Sequence, residues 1–210
     1  GVNNVFIGKD AGKLSTASDN TFVGGLSGSK VTSGDSNVFL GPSSGLEVTT
    51  GGCNIFIGRA AAQGLAGQPI IGGCNIALGP FSGYEIRCGS DNILLGHSAG
   101  YKIEDGEGNV LIGYGAGASA YDGRCNIFIG AQSGYNVTNG NYNIVLGDQV
   151  ALPSAGSSNQ FAIGNCACRW IAGDSYYNTT LAGIVTAYAA TGVLCATQFR
   201  GDGSCLTGAG

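Results

Sequence analysis

Few residues of this chain could do chemistry, and their spacing argues against most of it. The one histidine, His97, has no Cys, Asp or Glu partner at metal-ligand spacing. The 13 Asp and Glu residues are scattered and mark no carboxylate pair of the kind that glycoside hydrolysis needs. We therefore expect a solvent-facing corner for His97, no metal or other cofactor, and no enzyme. The eight cysteines contain no CxxC pair. Cys53, Cys74 and Cys125 each sit just before a repeated asparagine, which leaves two readings open. Cys53 and Cys74 could be joined as a disulfide, or they could be small thiols filling a column where Ser36 also serves. Tyr84, Tyr101 and Tyr135 share a second column. They could contact a receptor sugar through their rings, or pack between coils or subunits.

What must position these residues is a repeat. Asn, three apolar residues and Gly recur as NVFIG from Asn4, NTFVG from Asn20, NVFLG from Asn37, NIFIG from Asn54 and NIALG from Asn75. The series continues from Asn92, Asn109, Asn126 and Asn143, with QFAIG from Gln160 as a tenth copy. The steps are 16, 17, 17, 21 and then 17 residues throughout. A unit of 17 is too short for a helix pair or a propeller blade, which need roughly 34–50 residues. It suits one coil of a β-solenoid. The apolar triplet reads as a short strand, and the glycine as a corner that needs positive φ. Asparagine tolerates a left-handed backbone, and its amide can bond its copy one coil up. The expected architecture is all-β: a parallel β-solenoid of about ten coils over residues 1–164. A C-terminal non-repeat β region, a cap or collar, follows over 165–210. The four extra residues between Gly58 and Asn75, with Pro69 among them, predict a bulge from the rod.

Alternation along the triplet sends its first and third residues to one side and the second to the other. The first and third are Val, Ile or Leu almost throughout, so we assign them to the interior. The middle column then points outward, yet it contains Phe6, Phe22, Phe39, Phe56, Leu94, Leu111 and Phe128. A wet stripe of that length would forgo on the order of 10–20 kcal/mol. The expectation is that identical stripes cover one another in a parallel homotrimer, with these seven residues as its core; the alternatives are a dimer or a second layer of the same chain.

Composition fits a scaffold. Forty of 210 residues are Gly, and only 10% are charged against ~25% in ordinary domains. The net charge of −4 argues against nucleic acid as a partner, and no run of 18 apolar residues predicts membrane insertion. The chain begins at Gly1 and contains no Met, from which we expect a processed chain or a fragment.

The unit N-ϕ-ϕ-ϕ-G-x-x-[AS]-G resembles the repeats of bacteriophage tail-fibre and related virion appendage proteins. It more loosely resembles the head repeats of trimeric autotransporter adhesins, a family whose shorter repeat folds as a trimeric left-handed parallel β-roll. FAIGNCACRWIAGDSYYNTT (161–180) and the closing GDGSCLTG (201–208) resemble segments that follow such repeats in phage fibres, those of cyanophages in particular. The resemblance implies a trimeric tail-fibre shaft in a virion, with a role in host attachment. Its partners would be copies of itself, other virion tail proteins and a host surface glycan. The alternative is a bacterial cell-surface adhesin or extracellular filament subunit, placed outside the cell or on its surface.

Overall fold

Each motif folds as a three-residue strand that its glycine closes. The strands are β1 (Val5–Ile7), β2 (Thr21–Val23), β3 (Val38–Leu40), β4 (Ile55–Ile57), β5 (Ile76–Leu78), β6 (Ile93–Leu95), β7 (Val110–Ile112), β8 (Ile127–Ile129) and β9 (Ile144–Leu146). Each pairs in parallel with the next, like residue opposite like: Val38 with Ile55, Phe39 with Phe56, Leu40 with Ile57. A computed structural model describing residues 1–166, 168–176 and 178–181 thus shows an all-β parallel solenoid of about nine turns. The strand ends where it does because of backbone geometry. Gly41 has φ +132°, and a Cβ there would lie 2.5 Å from the carbonyl oxygen of Gly58 in the next coil. Only glycine fits that approach.

The rest of each coil is turns, yet its backbone also bonds from coil to coil. The N–H of Gly28 donates to the Ser44 carbonyl at 2.9 Å, Thr32 to Thr49 at 2.8 Å and Gly45 to Ala61 at 3.0 Å. The expected bulge is present. Residues 65–69 are exposed, and the chain rejoins the rod at buried Ile70, which bridges Val48 in parallel.

Three columns fill the interior. The first is the middle residue of each strand, and it overturns the expected oligomer core. Phe22, Phe39, Phe56, Leu94, Leu111 and Phe128 are fully buried inside this one chain. Phe6 belongs to the same column and keeps 36% exposure because it lies in the end coil. The rings of Phe6, Phe22, Phe39 and Phe56 stack with centroids 4.8–5.0 Å apart, one ring per coil. The second column is small: Ser27, Ser44, Ala61, Ala99, Ala116 and Ser133. The third is Val31, Val48, Ile70, Ile86, Ile103 and Val137, a core column that the sequence reading did not single out.

The expectation fails on parity. Asparagine is itself buried from Asn20 to Asn143. Alternation then brings the second apolar residue inward and turns the first and third outward. The left-handed corner falls one residue earlier than expected, at Asp19 (φ 60°), Ser36 (φ 60°) and Cys53 (φ 59°). The amide ladder is as expected. Asn92 Oδ1 accepts from the backbone N–H and the Nδ2 of Asn109, both at 3.0 Å. Asn92 Nδ2 donates to Asn75 Oδ1 at 2.9 Å and to the Gly106 carbonyl at 2.8 Å.

Beyond the tenth motif the strand pairing changes from parallel to antiparallel. β10 (Phe161–Asn165) extends the parallel sheet, and β11 (Cys168–Gly173) and β12 (Thr179–Leu181) then run antiparallel. Most of the expected collar, with Cys195 and Cys205, lies outside the described residues.

Two outcomes test this core. Asn92→Ala leaves the Asn109 N–H and the Gly106 carbonyl without their buried partner, so stability should fall by about 3 kcal/mol. A urea melt should show a lower midpoint at an unchanged slope. Deleting Asn92 to Gly108, one whole unit, joins Asp91 to Asn109 and keeps every column in register. The rod should still fold, shorter by ~4.8 Å. Deleting one residue more or fewer should unfold that region, because the apolar columns change faces.

Candidate functional site

The outside of the rod carries two features that the repeat does not need for its own fold. The first is an apolar stripe. The outward residues of β1 to β9 form two parallel rows along the sheet, from Val5 and Ile7 to Ile144 and Leu146. Neighbouring side chains shield one another, yet Ile127 is still 37% and Ile129 40% exposed. Thr21 is the only residue in these two rows of β1–β9 that is not Val, Ile or Leu.

The second is a belt of aromatic rings on the turns that follow the strands. In most coils the two turn positions just past the corner glycine carry no aromatic ring: Lys9 and Asp10, Gly25 and Leu26, Pro42 and Ser43, Arg59 and Ala60, Ala131 and Gln132. In three coils one of them does: Phe81, His97 and Tyr114. Tyr114 stacks on His97 at 5.4 Å, His97 meets Phe81 edge-on at 5.9 Å, and Phe81 leans on Tyr84 at 5.8 Å. Tyr84 stacks on Tyr101 at 5.0 Å with the planes 12° apart. The five rings form a continuous U, with Phe81 at its bend and Arg59 lying over Phe81 at 5.2 Å. Phe81 holds its place in a left-handed backbone, φ 57°. The same turn position is left-handed in the other coils too, at Asp10, Leu26, Ser43, Ala60, Ser98, Gln132 and Gln149, so this backbone belongs to the repeat.

Of the candidate receptor contacts, the structure brings Tyr84 and Tyr101 into contact and leaves Tyr135 apart, because Ala118 occupies the intervening coil. Tyr135 is exposed and borders a depression with Gln132, Gln149 and Cys166. His97 sits at an exposed corner, as expected, with Ser98 Oγ 3.0 Å from its Nδ1. Phe81, His97 and Tyr114 were missed as a group. They stand three and four residues off the tyrosine column, and only the coil's curvature joins the two rows.

Polar chemistry near the belt is local pairing. Lys102 Nζ donates to the Tyr121 hydroxyl at 3.3 Å. Arg87 grips Asp105 with two bonds of 3.1 and 2.7 Å, which hold the Asp105 carboxyl below its ordinary value. Burial, then Tyr84 and Glu85, push the Tyr101 phenol above its usual range. Among the described residues no three His, Cys, Asp or Glu come together as a metal cluster.

Cys53 and Cys74 occupy one column of adjacent coils as free, exposed thiols. Desolvation, then neighbouring Cys53, raises the Cys74 thiol above its ordinary value. A raised pKa means less thiolate near neutral pH, so Cys74 should react with iodoacetamide more slowly than an unhindered peptide cysteine. Cys53→Ser should speed that reaction, as timed by peptide mass mapping. An unchanged rate would show that the two thiols do not interact.

No protein-family model matches this chain, and no curated protein or solved structure matches it significantly.

Proposed function

We propose that this chain is a structural fibre module: a shaft segment of a virion tail fibre, assembled as a parallel homotrimer and serving host attachment. One observation carries the reading, the apolar stripe on the outer face of the sheet. The exposed parts of two side chains from each of nine strands amount to on the order of 1,000 Å² per chain. A stable interface takes ~800 Å² from each partner, and single soluble chains rarely leave larger patches uncovered. A second copy is the natural cover, because its own rows repeat at the same ~4.8 Å spacing and interdigitate along the whole length. The expected trimer therefore keeps its logic and changes its residues. The first and third positions of each strand meet at the axis, and the phenylalanines stay inside each chain. The repeat resemblance of Asn4 to Gly164 supplies the virion setting.

The purified chain should scatter light as three times its 20.9 kDa mass. Ile127→Asp with Ile129→Asp should release folded monomers, since both side chains point away from the coil's own core. Phe128→Asp, between them, should instead unfold the coil by burying a carboxylate. A wild-type chain that stays monomeric at micromolar concentration overturns the assembly reading.

A further inference from the structure

We propose that Cys53 and Cys74 together form a binding site for one soft metal ion, Cu(I), held between their two sulfurs. Neither the trimer nor the attachment role enters into it. Along the rod, the residue before the repeated asparagine (Gln160 in the last coil) is Asn3, Asp19, Ser36, Cys53, Cys74, Asp91, Gly108, Cys125, Tyr142 and then Asn159. Only at Cys53 and Cys74 do two neighbouring coils both place a thiol in this column. The two residues share one backbone conformation, φ 59° and 58°, and both are exposed. Their backbones are fixed in step. The N–H of Cys53 donates to the Asp35 carbonyl at 2.9 Å, and the N–H of Cys74 to the Gly52 carbonyl at 3.0 Å. Two residues further on, Ile55 pairs with Ile76 in the sheet.

Register sets the distance between the sulfurs. Like side chains of adjacent coils repeat at one coil step, 4.8–5.0 Å in the phenylalanine stack. With matching backbones, the Cβ atoms and the sulfurs of Cys53 and Cys74 are each set about that step apart, ~4.8 Å. A disulfide needs Cβ atoms ~3.8 Å apart and sulfurs ~2.0 Å apart, so it would have to pull the two coils together. A metal–thiolate bond is ~2.3 Å long, and two in line span ~4.6 Å. One ion between the sulfurs therefore fits the step that the repeat imposes. Cys125 shows how a thiol lies in this column. A Cβ on Gly108, one coil below, would stand 3.5 Å from its sulfur, an ordinary contact.

The ligand set selects the ion. Among the described residues no third ligand completes a cluster with the pair, which excludes the tetrahedral geometry of zinc. Thiolate sulfur favours Cu(I), an ion that two soft ligands in line satisfy. On binding, each thiol gives one proton to water, and two neutral thiols and a monovalent cation become a site with a single negative charge. The cation also relieves the cost of ionising neighbouring thiols. Burial, then Cys53 and Asp91, push the Cys74 thiol up. The place in the rod gives the ion a structural effect. Cys53 and Cys74 bracket residues 54–73, the one coil lengthened by four residues, and an ion between them ties the two ends of that coil.

The test is anaerobic titration of the full, reduced chain with Cu(I), supplied as its acetonitrile complex and competed against a chromogenic Cu(I) chelator. Cys53→Ser and Cys74→Ser should each remove one bound equivalent, or weaken it about a hundredfold, since a single sulfur remains. Serine already stands in this column at Ser36, so both variants should fold. Cys125→Ser removes a solitary thiol of the same column and should leave binding unchanged. Gly108→Cys places a thiol beneath Cys125, on the left-handed backbone (φ 66°) that also carries Cys53, and should add one equivalent. Cu(I) should raise the melting temperature of the wild type more than that of either serine variant. The site is overturned if either serine variant binds as many equivalents as the wild type with unchanged affinity, or if Cys125→Ser loses as much as they do. A Cys53–Cys74 disulfide in the anaerobically purified chain also overturns it, as does a folded Gly108→Cys variant that gains no equivalent.

Discussion

The fold depends on a buried row of asparagine amides. Each side chain accepts from the backbone of the coil above through Oδ1 and donates through Nδ2 to a carbonyl near the turn, as Asn37 does to Asn54 and Gly51 and Asn143 does to Gln160 and Ser157. The bonds are made in a dry interior, where an unpaired amide costs about 1–3 kcal/mol. The ladder therefore permits one register. A coil that slipped by one residue would bury a side chain unable to satisfy the amides on either side. Glycine near the end of the turn answers a different constraint, the close approach of the next coil: a Cβ on Gly34 would lie 2.2 Å from the Gly51 carbonyl oxygen. The phenylalanine stack does follow from the amide row, since the residue two beyond asparagine shares its side.

With the register fixed, the exterior is free to vary. The interior columns change little along the rod: the strand column stays apolar, as from Phe56 to Ala77 and Leu94, and the small column exchanges only Ser with Ala. The turn positions outside range over Lys9, Gly25, Pro42, Arg59, Pro80, His97 and Tyr114 in a single column. Such variation on a constant frame lets one scaffold carry a long uniform face and, elsewhere, a local cluster of rings. The apolar stripe is of the first kind and the aromatic belt of the second.

Much of this was legible in the sequence. The period, the parallel stacking, the bulge before Ile70 and the amide ladder all follow from residue types at fixed intervals. The facing of the strand did not, because both of its sides are apolar and alternation alone gives no sign. Asn20 and its copies would have decided it. Read as a left-handed corner residue, asparagine lies outside; read as a buried amide that must be satisfied, it lies inside and takes Phe22 with it. Val31, Val48 and Ile86 were overlooked as a column because they stand alone among turn residues, where no strand pattern marks them. Tyr84 and Tyr101 were visible as a column, but their contact with Phe81 and His97 depends on how tightly the turn bends.

The direction of the inter-coil bonds has a mechanical meaning. In strands loaded along their length, many ladder bonds resist shear together. Here the strands lie across the rod, and the bonds between coils run along its axis. A pull on the two ends therefore loads them head-on, and the rod opens one coil at a time, at whichever joint is weakest. Coil 54–74, with its longer path and exposed bulge, interrupts the uniform run nearest the middle. A single rod is thus strong against bending and weak in tension, and neighbours bound along its side would let a failing joint shed its load sideways.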